Sequence, residues 1–239
     1  MGDPILILHG WGSQISGEKK FHEVKDLLQK KGFTVFTPDL PGFGGNTLKK
    51  DTLVFDDYVA FVKMFLQEKK LKKIILVGHS FGGRIAIAFT ARYPELVSKL
   101  VLVSASGIIH PLSLKKRIIK LAVKKIKVVF RLPFLSLLYA PIRKLLYRSI
   151  GEMDYYKAGA LRKTFLNVHR TSIIDILEKI PTPTLILWGE NDTFTPVNDG
   201  RVMHAKIKNS KLLIIPHAGH KFPYEDPERF VKEIIEFIS

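Results

Sequence analysis

The chain has 239 residues, 46% of them apolar, which is enough to bury one sizeable core and too apolar for a disordered chain. It contains no cysteine, so disulfides, thiolate metal sites and a cysteine nucleophile are excluded. The net charge of +16 is unevenly spread: Ile108 to Ile180 holds sixteen Lys/Arg against four acids, the rest of the chain twenty-two against eighteen.

The first residues, Met1-Gly2-Asp3-Pro4, carry no basic segment and no small-residue cleavage site, so no secretory signal is expected and a cytoplasmic location is. Leu6 stands where a myristoylation signal needs Ser or Thr. No apolar run approaches the ~18 residues of a membrane span. Pro4 to His9 reads as a short buried strand, followed by Gly10-Trp11-Gly12. Glu18 to Lys31 has helical spacing (Phe21, Val24, Leu27, Leu28), and Gly32 stops it. Phe33 to Thr37 reads as a strand, and a Pro/Gly-rich loop follows through Pro38, Pro41, Gly42, Gly44 and Gly45. Leu53 to Gln67 is an amphipathic helix, Lys73 to Val77 a strand, Phe81 to Tyr93 a helix stopped before Pro94, and Lys99 to Ser104 a strand.

From Ile108 to Ile180 the alternation gives way to helices with basic faces and no strand. It resumes with a strand at Thr184 to Trp188, a helix near Asp199 to Ala205, a strand at Lys211 to Ile215 and a closing helix at Pro227 to Ile238. Short, continuously apolar strands separated by helices predict an α/β fold, a mostly parallel sheet of about six strands covered on both faces. Residues 1–107 and 181–239 then form the core, and 108–180 is a helical insertion after the fourth strand.

Gly78-His79-Ser80-Phe81-Gly82, with Gly83 behind it, lies where a strand ends and a helix begins, the setting a nucleophile elbow needs. The turn lifts the Ser80 hydroxyl above the strand ends and aims the Phe81 N–H, at the helix N-terminus, toward a developing oxyanion. A serine hydroxyl needs a base. His220, in Ala218-Gly219-His220, follows the last strand and emerges at the same sheet edge. His217 directly follows the strand-ending Pro216 and reads as structural. His22 and His169 read as helix-face residues, His204 as a cap or surface residue, and His110 as a residue without a role. The base needs an acid to fix its tautomer. Asp192, in the loop after the fifth strand, supplies it, with Glu190 a competitor and Asp199 expected to cap the next helix. A second oxyanion donor is the Trp11 N–H, with His9 holding that loop by a hydrogen bond.

The chain resembles the α/β-hydrolase superfamily over nearly its whole length. The residues carrying the resemblance are His9-Gly10-Trp11-Gly12, Asp39-Leu40-Pro41-Gly42-Phe43-Gly44, Gly78 to Gly83, Trp188-Gly189 with Asp192 and Pro196, and Gly219-His220 with Glu225 and Pro227. The order Ser80, Asp192, His220 is that of the superfamily. The resemblance implies that 108–180 is a cap over the active site. Relatives usually carry two further strands before Pro4 to His9, so the sheet is expected to be trimmed to six.

Ester hydrolysis through an acyl-enzyme, without a cofactor or a metal, is the default chemistry for such residues, with a small-molecule ester as substrate. Ser80 argues against epoxide hydrolases and haloalkane dehalogenases, which use Asp. C–C bond hydrolases, peroxidase-like and lipase-like members remain alternatives, although many C–C hydrolases place an aromatic residue where Lys221 stands. The basic run Leu114 to Arg148, broken by Pro133 and Pro141, reads as amphipathic cap helices. It leaves open an acidic partner, as in esterases acting on carrier-protein-bound methyl esters, or an anionic membrane surface. Tyr139, Tyr147, Tyr155 and Tyr156 belong to the cap core or the pocket. A binding protein that uses this basic face is the non-enzymatic alternative. No nucleic-acid motif accompanies the charge, so nucleic-acid binding is not expected.

Overall fold

The computed structural model describes residues 2–12, 17–47, 50–111, 114, 117–119, 121–123 and 136–239. Pro133 and most of the basic run from Leu114 to Phe130 lie outside this set. Six strands, β1 Ile5–Leu8, β2 Val35–Phe36, β3 Ile74–His79, β4 Val97–Val103, β5 Thr184–Gly189 and β6 Ser210–Ile215, form one sheet in the order β2-β1-β3-β4-β5-β6. Every pairing is parallel.

Side chains alternate across a strand, and the core divides accordingly. The register Ile7↔Val77↔Val101↔Leu185 puts those four on one face, packed with Phe21, Val24, Leu28, Phe230 and Ile234. Their neighbours Leu8, Leu76, Leu100, Leu102, Ile186 and Trp188 point the other way, onto Tyr58, Val62, Ile85, Phe89 and Met203. The first face is covered by helices His22–Lys30 and Pro227–Ile238, the second by Phe55–Glu68, Phe81–Arg92 and Val197–Lys206. Burying each large aliphatic or Phe side chain contributes about 1.5–3 kcal/mol before chain entropy is subtracted, which is why buried strands without a polar position are affordable only with both faces covered. The closing helix starts where Pro227 follows Asp226, whose carboxylate accepts the Arg229 N–H at 3.2 Å.

Several boundaries differ from the sequence reading. The expected helix Glu18 to Lys31 is two pieces, Gly17–Lys20 and His22–Lys30, with Phe21 turned fully inward between them. The strand expected at Phe33 to Thr37 keeps two residues, because the four-residue β1 pairs with it only at Val35 and Phe36. The helix Ser136–Ser149 runs on through Pro141 instead of breaking there. Pro141 lies in its second turn and forfeits one main-chain hydrogen bond. Among the described residues of 108–180 there is no strand; the segment supplies Ser136–Ser149, Met153–Lys157, Arg162–His169 and a 3-10 turn at Ile174–Lys179.

Candidate active site

The C-terminal ends of five parallel strands open on one edge of the sheet, and the predicted residues collect there. At the end of β3, Ser80 has φ 53° and ψ −113°, a left-handed region that non-glycine residues seldom enter. Its main chain is held from both sides: its N–H donates to Val103 O at 2.9 Å, and its carbonyl accepts the Ser106 N–H at 3.0 Å. A Cβ on Gly82 would collide with the Leu8 carbonyl oxygen, and one on Gly78 would lie 2.6 Å from Gly82 O. The turn therefore closes only with glycine on both sides of the serine. Phe81 opens helix Phe81–Arg92, and among the described residues neither its N–H nor that of Trp11 donates to another protein group.

His9 fixes the loop after β1. Its Nε2 accepts the Leu40 N–H at 3.0 Å, so Nδ1 carries the proton and donates to Gly10 O at 2.8 Å. Burial pulls its pKa down to about 4, which keeps the ring neutral. The Trp11 ring meets Phe43, Phe81 and Phe165 edge to face, at centroid separations of 5.0, 5.3 and 5.0 Å.

His220 Nδ1 lies 2.8 Å from Asp192 Oδ2. The other carboxylate oxygen accepts the N–H groups of Phe194 at 2.8 Å and Thr195 at 2.9 Å. Burial pushes the Asp192 pKa up, but the His220 hydrogen bond and charge, with the Thr195 N–H, outweigh it and hold the pKa at about 2. The group is thus a carboxylate facing an imidazole N–H. Glu190 does not compete, because its carboxylate accepts the His217 N–H at 3.0 Å. Asp199 is drawn from the expected capping role to His110, whose Nε2 lies 2.8 Å from its carboxylate. Ser80 and His220 line the same cavity without a hydrogen bond between them among the described residues.

Sequence reasoning missed four residues here. His79 is buried, its Nε2–H donating to the His220 carbonyl at 2.9 Å and its Nδ1 accepting the Tyr224 O–H at 2.7 Å. Burial lowers its pKa to about 3, so it acts as a neutral strut. The Thr195 hydroxyl donates to Asp192 Oδ2 at 2.8 Å. His169 is no simple face residue: it stacks on Phe165 at 3.7 Å and lines the cavity. Arg84 is a guanidinium within the apolar helix that follows the elbow, and only its position in an Ile/Ala run signalled it.

The cavity has a volume of about 1700 Å³ and lies between the strand ends and the helices of 136–179, which contribute Tyr147, Asp154, Tyr155 and Phe165. Tyr147 also packs against Tyr155 and Tyr156, with the Arg143 guanidinium over the rings of Tyr139, Tyr147 and Tyr156. Among the described residues no three His, Asp or Glu side chains converge as metal ligands. No helix among them is long and apolar enough to cross a membrane.

Residues 3–123 and 127–227 match the family described as alpha/beta hydrolase fold, and the chain belongs to that family and is a hydrolase. It is 29% identical to the uncharacterized hydrolase YugF of Bacillus subtilis, over 98% of this chain and 89% of that protein. It is 25% identical to a 2-hydroxy-6-oxononadienedioate/2-hydroxy-6-oxononatrienedioate hydrolase of Comamonas testosteroni, over 100% of this chain and 88% of that one. The esterase EaEST of Exiguobacterium antarcticum shares the fold with a TM-score of 0.76 at 21% identity, over 99% and 92% of the two chains.

Proposed function

We propose that this hydrolase cleaves carboxylic esters through an acyl-enzyme on Ser80. The observation that carries the reading is the 2.8 Å pairing of His220 Nδ1 with Asp192 beside a cavity that also receives the elbow serine. Asp192 fixes the imidazole tautomer, leaving Nε2 to accept the Ser80 proton as Oγ attacks the ester carbonyl. The Trp11 and Phe81 N–H groups take the oxyanion, each such donor being worth ~10²–10³ in kcat. The intermediate collapses, His220 returns the proton to the departing alcohol, and water repeats the sequence to free the acid. Residues 108–180 act as the cap that shapes the cavity.

Cleavage of a C–C bond beside a ketone is the second reading, favoured by the keto-acid substrates after which the Comamonas relative is named. Lys221 beside His220 counts toward the ester. Short p-nitrophenyl esters should be hydrolysed, and Ser80→Ala should abolish turnover with the far-ultraviolet spectrum unchanged. Equal turnover by both proteins ends the proposal; cleavage of vinylogous 1,5-diketones with inert esters selects the second reading.

A further inference from the structure

Arg84 lines the cavity one helical turn beyond Ser80, with only 3% of its surface exposed. One of its amino groups donates to the Val168 carbonyl. Its Nε–H, also buried, has no hydrogen-bond partner among the described residues. No carboxylate pairs with it among the described residues, and the residues outside that set include neither Asp nor Glu. Burial alone pulls its pKa down, to about 10, with no acid offsetting the cost. Taking a guanidinium out of water without a counter-charge is strongly unfavourable, and one carbonyl satisfies only one of its five donors.

Among the described residues, the surroundings supply this donor with no acceptor. Gly107, at φ 137°, passes beside Arg84, and a Cβ there would lie 3.2 Å from Arg84 Nε and collide with Ile173. His169, across the cavity wall, is held neutral at a pKa of about 4, first by burial and then by the nearby Arg84 charge. It therefore neither supplies the missing negative charge nor adds a competing cation.

We propose that Arg84 receives a carboxylate of the substrate, so that the preferred esters are acidic ones such as half-esters of short dicarboxylic acids. The inference rests on Ser80 as the reacting serine. The carboxylate stays unchanged through the reaction: a half-methyl ester and water give the dicarboxylic acid and methanol, with the acid bound at Arg84 throughout. Bidentate geometry suits guanidinium and carboxylate.

The test compares kcat/KM for monomethyl glutarate and monomethyl adipate with methyl butyrate and methyl valerate. A second arm places the acid on the alcohol side, O-acetylglycolate against ethyl acetate. The wild type should prefer the acidic member of at least one arm by on the order of 10–100-fold. Arg84→Met should erase that preference while neutral esters change less than threefold, and Arg84→Lys should restore part of it. Equal preference in wild type and Arg84→Met, or no preference in either arm, overturns the proposal.

Should Arg84→Met not fold, inhibition of the wild type by glutarate against neutral glutaramide decides, and equal inhibition overturns it. Should no ester be turned over, the reading of Ser80 fails by itself. Calorimetry of glutarate with wild type and Arg84→Lys then decides for Arg84: tighter binding to the wild type supports it, and no binding to either overturns it.

Discussion

The Thr195 hydroxyl stands 2.8 Å from Asp192 Oδ2 and 3.3 Å from His220 Nδ1, so one side chain braces the contact between the other two. It also lies 3.2 Å from the Ser104 carbonyl, which ties this corner to the end of β4. Thr195→Val keeps the shape and removes the donor. A hydrogen bond to a carboxylate contributes about 1.5–3 kcal/mol. The expected result is a kcat lowered by about 10–100-fold with little change in KM, and steady-state kinetics on a model ester would show it. An unchanged kcat would mean that the two main-chain N–H groups hold Asp192 unaided.

Tyr224→Phe should be felt away from the solvent. The lost hydroxyl leaves His79 Nδ1 buried without a donor, and His79 in turn carries the His220 carbonyl. Leaving a buried acceptor unsatisfied costs about 1–3 kcal/mol. Urea denaturation should show that loss, and activity should fall with it because the His220 main chain loses its strut.

Gly82→Ala should damage both the fold and the elbow. The new Cβ meets the Leu8 carbonyl oxygen and comes within 2.8 Å of His9 O, both main chain and unable to turn aside. Overpacking costs about 1–3 kcal/mol, more where only backbone can yield. Displacing β1 from the elbow also moves the Trp11 N–H, so kcat should fall more steeply than the melting temperature implies.

Acid should unfold this protein through its histidines. His9, His79 and His169 have pKa values pulled down to about 4, 3 and 4 by burial, against 6.5 for an exposed ring. Unfolding at about pH 5 therefore takes up about three protons, so stability rises with pH up to about 6.5 and flattens above it. The slope is up to about 4 kcal/mol per pH unit. Denaturant titrations at pH 7, 6 and 5 would measure it, and an uptake below one proton would contradict neutral burial. Asp192 adds to the loss only in stronger acid, as pH drops from its unfolded value near 3.8 toward about 2.

How much of this was legible beforehand depended on the range of the determinant. Continuous runs such as Ile74–Val77 announce strands because both faces are covered, and Gly78 to Gly83 announces the turn because steric limits there admit glycine alone. The meeting of His220 with Asp192 followed from parallel strands sharing one edge. Long-range partners left no local mark. Nothing around Thr195 or Tyr224 shows that one supports Asp192 and the other His79, and the pairing of His110 with Asp199 joins positions eighty-nine residues apart. β2 keeps only the two residues that pair with Ile5 and Leu6, a register that its own residues do not encode.

Ser80 owes its unusual backbone angles to ties on both flanks, to Val103 and to Ser106. Those ties fix where the Ser80 Cβ stands and leave its hydroxyl only rotation about χ1. Turnover becomes a gauge of the sheet's midline, and gentle heating or ageing that loosens β4 will register as vanished catalysis while the bulk of the molecule still looks intact.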